Sequence, residues 1–434
     1  MDEKAIQAFL SCLHYLSADP SEPEAYAELR TRLEEIDRTI DNPHNYLYYL
    51  ATPPLLYGVI PRHLKAEGLN REGDGFRRIV VEKPFGYDLS SALELNRIYL
   101  DAFREEQIYR IDHFLGKETV QNILALRFAN SVFEPLWNRN YIDYVEITAV
   151  ENMGIGTRGG FYDGVGTLRD MVQNHLAQLL AVTAMEPPAA FDASGFRNEV
   201  VKVYQSLTPL TGEDIRHSVV RGQYMASEGR KGYREEEQVP ALSRTETYLA
   251  MRLELNNWRW GGVPFYIRTG KQMPTKVSEI VIHFKPAPYS LFRCEGGTCP
   301  VPNRLVIRIQ PNEGIVLRLG MKKPGEGFEV LPMDMDFSYA ELGRLPTEDA
   351  YARLIEDCIA GDPTLFIRSD AVESGWRFFD PILKYWQDVP ECPLYGYPAG
   401  SWGPLEADSL VARQGASWTN PCKNLTNTHL YCEL

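Results

Sequence analysis

The stretch Gln107-Ile108-Tyr109-Arg110-Ile111-Asp112-His113-Phe114-Leu115-Gly116-Lys117-Glu118 decides how the chain divides. Its first five residues read as a buried strand, and Gly116-Lys117-Glu118 reads as the start of a helix. On its two sides the pattern of apolar residues differs, so a domain boundary is expected near Arg110.

Upstream, Asn45 to Ala51 (NYLYYLA) is a short apolar, aromatic run stopped by Pro53-Pro54, and Arg78 to Glu82 (RIVVE) is a second buried strand. Leu55 to Lys65 reads as a helix closed near Gly68, and Leu89 to Phe103 as the next one. Strands alternating with helices at this spacing build βαβ units, so this is half of a doubly wound domain. Two amphipathic helices precede it. Ile6, Phe9, Leu10, Leu13 and Leu16 recur at helical spacing up to Asp19-Pro20, and Tyr26, Leu29, Leu33, Ile36 and Ile40 repeat the pattern.

Downstream, the spacing predicts a helix to about Leu126, a strand from Tyr144 to Val150 and a long helix from Leu168 to about Met185. Period-two alternation then marks strands at Tyr248 to Leu255, Ile280 to Phe284, Leu305 to Ile309 and Ile315 to Leu319. The last two are joined by Gln310-Pro311-Asn312-Glu313-Gly314, a hairpin connection, and such antiparallel strands pack one face on helices. Helices at Tyr351 to Ala360 and Ala371 to Trp386 turn Trp376, Phe379 and Leu383 inward. The expected fold is α/β plus α+β. A partial Rossmann-like dinucleotide-binding domain over residues 1–110 leads into a larger domain, residues 111–434, with a mostly antiparallel sheet packed on helices.

The 434 residues, 44% hydrophobic and 24% charged, are enough for two cores and argue against extended disorder. A net charge of -14 speaks against nucleic acid or anionic lipid as a partner, so an anionic small molecule would need a local cluster of Lys and His. The seven cysteines are scattered, with no C-x-x-C pair, which suits a reduced, cytoplasmic protein with no structural metal. No apolar run approaches the ~18 residues of a membrane span, and the acidic start lacks a signal peptide's basic region. The sequon Asn424-Leu425-Thr426 then reads as accidental.

Three features carry chemistry, and each has a bland alternative. Gly154-Ile155-Gly156-Thr157-Arg158-Gly159 matches G-x-G-x-x-G after a strand, but without an acidic residue closing a βαβ unit it is better read as a glycine-rich turn that brings backbone near a sugar. His175 lies on the apolar stripe Leu168, Met171, Val172, Leu176, Leu179, where a satisfied core histidine is the ordinary reading. Asp112, His113 and Lys117 crowd a strand-to-helix junction, where basic side chains and a helix start together suit a phosphate, against the alternative of a capped helix start with a solvated lysine.

Taken together, these segments resemble the glucose-6-phosphate dehydrogenase family. The marks are the RIDHxLGKE signature at Arg110 to Glu118, the turn Glu82-Lys83-Pro84-Phe85-Gly86 and the helix Arg169-Asp170-Met171-Val172-Gln173-Asn174-His175. Further matches keep the family's order from near Lys4 to about Trp418, among them Trp137-Asn138-Arg139, Arg221-Gly222-Gln223-Tyr224 and Arg268-Thr269-Gly270-Lys271.

The resemblance implies oxidation of glucose 6-phosphate at C1 to 6-phosphoglucono-1,5-lactone with hydride transfer to NADP, the first step of the oxidative pentose phosphate pathway. By the same carry-over His175 is the base and Asp112 its orienting partner. His113 and Lys117 hold the phosphate, with Phe114 where tyrosine is more usual. Glu151 and Asp170 take sugar hydroxyls, Lys271 and Lys276 line the same pocket, Lys83 touches substrate and cofactor, and Tyr57 lies on the nicotinamide side. A homo-oligomer is implied as well.

The resemblance breaks at both ends. Family members open with a strand and a Gly-x-x-Gly-Asp-Leu turn that holds the cofactor pyrophosphate, and none of this precedes Met1. Two readings are therefore expected to compete, an NADP-dependent dehydrogenase and a catalytically silent chain that keeps the sugar-phosphate pocket for binding or regulation. Loss of the opening strands would leave Asn45 to Ala51 as an unpaired apolar edge, with residues 1–110 less stable than the rest, the opening helices poorly anchored, and the chain prone to self-association or aggregation through that edge. The tail from Thr419 onward reads as a polar extension.

Overall fold

The computed structural model describes residues 3–40, 44–289, 291–294, 303–325, 327–342, 349–412 and 415–421. The chain forms two compact units, residues 1–85 with 93–111, and residues 86–92 with 112–434.

The first unit holds a parallel three-stranded sheet in the order β1 (Tyr46–Leu50), β2 (Arg77–Val81), β3 (Ile108–Arg110). Parallel strands want cover on both faces, and the central run meets that need: Ile79, Val80, Val81 and Ile108 are fully buried. At the end of the sheet Phe85 packs edge-on to Tyr99 at 5.4 Å, and the Arg110 guanidinium lies 4.8 Å from the Phe85 ring. The helix Glu24–Ile40 is anchored through Asp37, whose carboxylate accepts from the Tyr46 hydroxyl and pairs with His44 Nδ1 at 2.5 Å.

The opening helix is shorter than the spacing suggested. It spans Glu3–Ser11 and none of its residues is buried, and Ile6, Phe9, Leu10 and the following Leu13 are all exposed. A nine-residue helix is marginal on its own hydrogen bonds and ordinarily relies on packing, and periodicity records the apolar face without recording whether anything covers it. The helix expected over Leu55 to Lys65 is likewise split into a short turn at Pro54–Leu56 and a helix Val59–Ala66.

Beside β1 lies a cavity of about 620 Å³ lined by Leu29, Leu33, Ile36, Leu47 and Tyr49. Among the described residues β1 is hydrogen-bonded to a strand on one side alone, β2. A single-sided ladder beside a cavity lowers the free energy of local opening. Amides of Tyr46–Leu50 are therefore expected to exchange at least ~100-fold faster than those of the doubly flanked strand Ile142–Val150, by hydrogen-exchange mass spectrometry. Equal protection in the two strands would contradict this.

The second unit is built on a ten-stranded sheet. Its strands are β4 (Ile142–Val150), β5 (Val219–Met225), β6 (Tyr248–Glu254), β7 (Pro264–Gly270), β8 (Val277–Phe284), β9 (Arg293–Cys294), β10 (Arg304–Gln310), β11 (Gly314–Lys322), β12 (Glu329–Ser338) and β13 (Tyr395–Pro398). They lie in the order β13-β5-β6-β7-β4-β8-β10-β11-β12-β9. Pairing is antiparallel except for β4 with β7, β5 with β13 and β9 with β12. β4 is the centre, with Ile147 opposite Ile267 on one side and Ile280 on the other, all fully buried.

Several strands escaped the alternation rule. β7 (PFYIRTG) carries Arg268 in its interior, and that guanidinium is covered by Trp402 at 4.8 Å and Trp418 at 4.6 Å. A buried arginine interrupts the apolar pattern by which a strand is recognised.

The tail also differs from expectation. Thr419 is buried, donating from N and Oγ1 to the Glu146 carboxylate at 2.9 and 2.8 Å, and Asn420 accepts from Arg268 at 2.8 Å. These two polar residues satisfy buried charges on the sheet and are part of the fold. The sequon lies outside the described residues. Among the described residues no helix is long and apolar enough to cross a membrane.

Candidate functional site

Asp112 opens the turn that leads into the helix Glu118–Phe128. Its Oδ1 accepts from the Phe114 N–H at 2.9 Å, a local Asx turn, so the carboxylate is oriented by its own backbone. The same oxygen lies 2.6 Å from His175 Nδ1. Both side chains are 2% exposed.

Burial by itself would raise the Asp112 carboxyl, but the adjoining His175, the hydrogen bond between them and the Phe114 N–H outweigh it and hold the group below the usual carboxylate range. The carboxylate is thus ionised, which assigns the His175 proton to Nδ1 and leaves Nε2 as the atom open to a further partner.

The imidazole is held on its other sides by rings. Phe114 stacks on it at 4.4 Å with planes 19° apart, and His113 meets it edge-on at 4.6 Å. His113 in turn stacks on Tyr351 at 5.8 Å. Phe114, which stands where tyrosine is more usual in the family the sequence resembles, lies nearly parallel to the His175 ring. One ligand atom from each of Asp112, His113 and His175 lies within 4.8 Å of the others. The 2.6 Å Nδ1 to Oδ1 contact within this trio is a hydrogen bond.

The segment bearing His175 is not the continuous α-helix that spacing suggested. An α-helix over Gly159–Thr167 passes at Gly166 (φ 74°) into a π-helix over Leu168–Leu176, and α geometry resumes over Ala177–Ala184. On an α-helix at 100° per residue, Asp170 and His175 would point about 140° apart. The i→i+5 bonding of a π-helix widens each turn and brings positions five apart closer to one face.

Around Asp170 a second cluster forms. The buried Lys271 ammonium is paired with the Glu151 carboxylate, lies 3.4 Å from Asp170 Oδ2, and sits 5.6 Å from the Tyr162 ring. Two carboxylates and one ammonium give a set of donors and acceptors suited to a polyhydroxyl ligand.

Lys117 caps the start of the helix Glu118–Phe128 and donates to Gln310 Oε1 at 2.5 Å, while its ammonium lies 4.4 Å from the Phe114 ring. Burial pulls its pKa down from 10.5 to about 8, and the nearby Lys276 charge adds to the effect. Lys276 is exposed. Two cations that disfavour each other at a helix start are a place where an anion is stabilising.

Lys83 and Tyr57 belong to the first unit. Lys83 follows β2, and Tyr57 follows the turn after β1, so both lie past the carboxyl ends of parallel strands, where doubly wound sheets hold nucleotides. Tyr57 is buried, and burial beside Glu82 pushes its hydroxyl up to about 12.

The glycine motif serves packing. A side chain at Gly159 would strike the Glu237 carbonyl, and one at Gly154 would meet Glu236 and Gln272, so these two glycines admit the loop at residues 236–239.

Residues that sequence spacing left unnoticed also line the site. Gln310 reaches Lys117 across 193 positions. Tyr204 is buried with no partner for its hydroxyl among the described residues, and burial with the Asp112 charge raises it well above the ordinary tyrosine value. Asp112 Oδ2 is likewise unpartnered there. Neither contact leaves a local signal in the sequence.

Two family models match the chain: glucose-6-phosphate dehydrogenase, NAD binding domain, over residues 1–122, and glucose-6-phosphate dehydrogenase, C-terminal domain, over residues 124–419. A glucose-6-phosphate 1-dehydrogenase of Aggregatibacter actinomycetemcomitans is 52% identical over 422 residues, 96% of this chain and 84% of that protein. One of Treponema pallidum is 48% identical, covering 100% of this chain and 85% of its own length. A solved glucose-6-phosphate dehydrogenase in complex with its substrate glucose-6-phosphate superposes with a TM-score of 0.88 at 34% identity, over 96% of this chain and 85% of that one. With both halves of the chain matched and its acid and base residues gathered at one centre, the chain belongs to the glucose-6-phosphate dehydrogenase family.

Proposed function

We propose that this chain oxidises glucose 6-phosphate at C1 to 6-phosphoglucono-1,5-lactone. The observation that carries the reading is the buried Asp112 and His175 pair, with Nδ1 engaged at 2.6 Å and Nε2 left for substrate. Bound NADP supplies the hydride acceptor. The C1 hydroxyl proton passes to His175 Nε2 as the C1 hydrogen departs with its electron pair, and the C1 to oxygen bond becomes a carbonyl. Asp112 stabilises the imidazolium formed in that step and fixes the tautomer that precedes it.

Lys117 and His113 hold the phosphate dianion, with Lys276 adding charge at its edge. Glu151 and Asp170 accept from sugar hydroxyls, and Lys271, paired with both carboxylates, donates to the sugar. Lys83 and Tyr57, at the carboxyl edge of the parallel sheet, serve the cofactor side, in a cofactor domain over residues 1–110 that is followed in the chain by a substrate domain over 111–434. The active form is a cytoplasmic homo-oligomer.

The test is a reduction assay on the full chain with saturating NADP. Glucose 6-phosphate is expected to drive formation of reduced cofactor and lactone in equal amounts. No sugar-phosphate-dependent reduction would overturn the reading.

A further inference from the structure

The segment that carries Asp170 and His175 begins against a carboxylate that the reaction does not use. Glu246 is 6% exposed and lies in the loop before β6. Its Oε1 accepts from the Leu168 N–H, the first of the π-helix, at 3.0 Å. Its backbone carbonyl accepts from the Thr167 N–H at 3.1 Å and from Thr167 Oγ1 at 3.0 Å. Thr167 Oγ1 is in turn 2.7 Å from the Tyr162 hydroxyl. Three bonds from one residue thus hold the two residues at which α geometry gives way to π.

Gly166 is part of the same joint. Its φ of 74° is a left-handed conformation that side chains rarely adopt, and a Cβ there would come within 2.6 Å of Glu246 Oε1. The chain therefore turns at Gly166 while leaving room for the carboxylate.

The next residue ties the same loop to the other side of the site. Thr247 donates from N to the Gly222 carbonyl at 2.8 Å, and its own carbonyl accepts from the Lys271 N–H at 2.9 Å. The Tyr397 hydroxyl donates to the Lys271 carbonyl at 2.7 Å. Two adjacent residues thereby register the start of the π-helix against the end of the strand that delivers Lys271. A helix start has N–H groups without intrahelical partners, so removing an acceptor there frees the first turn to shift.

We propose that Glu246 is a positioning residue for the reaction, which through the Leu168 N–H sets where Asp170 and His175 stand relative to Lys271. The inference rests on the dehydrogenase reading. Burial raises the Glu246 carboxyl, opposed by the Leu168 N–H and by the charges of Arg169 and Arg221. Either protonation state leaves Oε1 able to accept, so the acceptor is the requirement and the charge is not.

Three variants separate acceptor, charge and reach. Glu246→Gln keeps an acceptor of the same length, Glu246→Asp keeps the charge but is one methylene short, and Glu246→Ala keeps neither. In Glu246→Ala, kcat is expected to fall on the order of 10-fold or more, while KM for glucose 6-phosphate rises by less than kcat falls, because Asp170 shifts but the phosphate ligands stand on another segment. Glu246→Gln is expected to stay within about 3-fold of the parent, and Glu246→Asp to fall between.

Hydrogen exchange over residues 165–176 supplies a readout that does not need turnover. It should accelerate in Glu246→Ala and stay at the parent rate in Glu246→Gln. A folded Glu246→Ala with parental kcat, equal impairment of the Gln and Ala variants, or exchange in this segment that no variant alters would each overturn the proposal. If the parent chain itself fails to reduce NADP, the dehydrogenase reading fails, and the exchange rates alone decide the role of Glu246.

Discussion

His175→Asn is expected to lower kcat by ~10²–10⁴ with little change in glucose 6-phosphate affinity. The imidazole is 2% exposed and is held by Asp112 at 2.6 Å, Phe114 at 4.4 Å and His113 at 4.6 Å, so it has one orientation in which to take a proton. Asparagine can still bond to Asp112 but offers no basic nitrogen to the substrate. Because the phosphate ligands lie on the Asp112 to Lys117 turn, calorimetry should find binding nearly intact. An unchanged kcat would remove His175 from the mechanism.

Lys117→Ala is expected to weaken glucose 6-phosphate binding by about 2 kcal/mol, roughly 30-fold, the size of a charge-assisted hydrogen bond. The effect should depend on pH in a way that identifies this ammonium. With its pKa drawn down from 10.5 to about 8, Lys117 of the free protein is charged below that point and loses its proton above it. A phosphate monoester becomes a dianion above a pKa of ≈ 6. Affinity should therefore be highest between about pH 6 and 8 and fall on the alkaline side as Lys117 is neutralised. In Lys117→Ala the alkaline fall should disappear. Calorimetric titrations across this range check both points, and parental affinity in the variant would place the phosphate elsewhere.

The order of the chemistry-bearing segments was legible without coordinates. The turn at residues 110–118, the helix ending at His175 and Arg268 to Lys271 each carry residue types whose chemistry is local to a few positions. The alternation of strands and helices before Arg110, and of strands after Tyr248, followed from apolar periods of 3.6 and 2. Periodicity reports which faces are apolar, and so it located β1 and β2, β6, β8, β10 and β11, and the late helices that bury Trp376, Phe379 and Leu383.

What lay beyond the sequence depends on partners far away along the chain. The π geometry over Leu168–Leu176 begins where Glu246 meets Leu168, 78 positions apart, and no local pattern distinguishes it from an α-helix. Lys117 reaches its partner Gln310 across 193 positions, and Arg268 is buried because two tryptophans from the end of the chain cover it. The first helix shows the converse, an apolar face that spacing revealed and no described residue covers. Residue type and period follow from local propensity and side-chain chemistry. The burial of a charge, the register of a helix and the cover of a face follow from which elements pack together, and that is settled by long-range contacts.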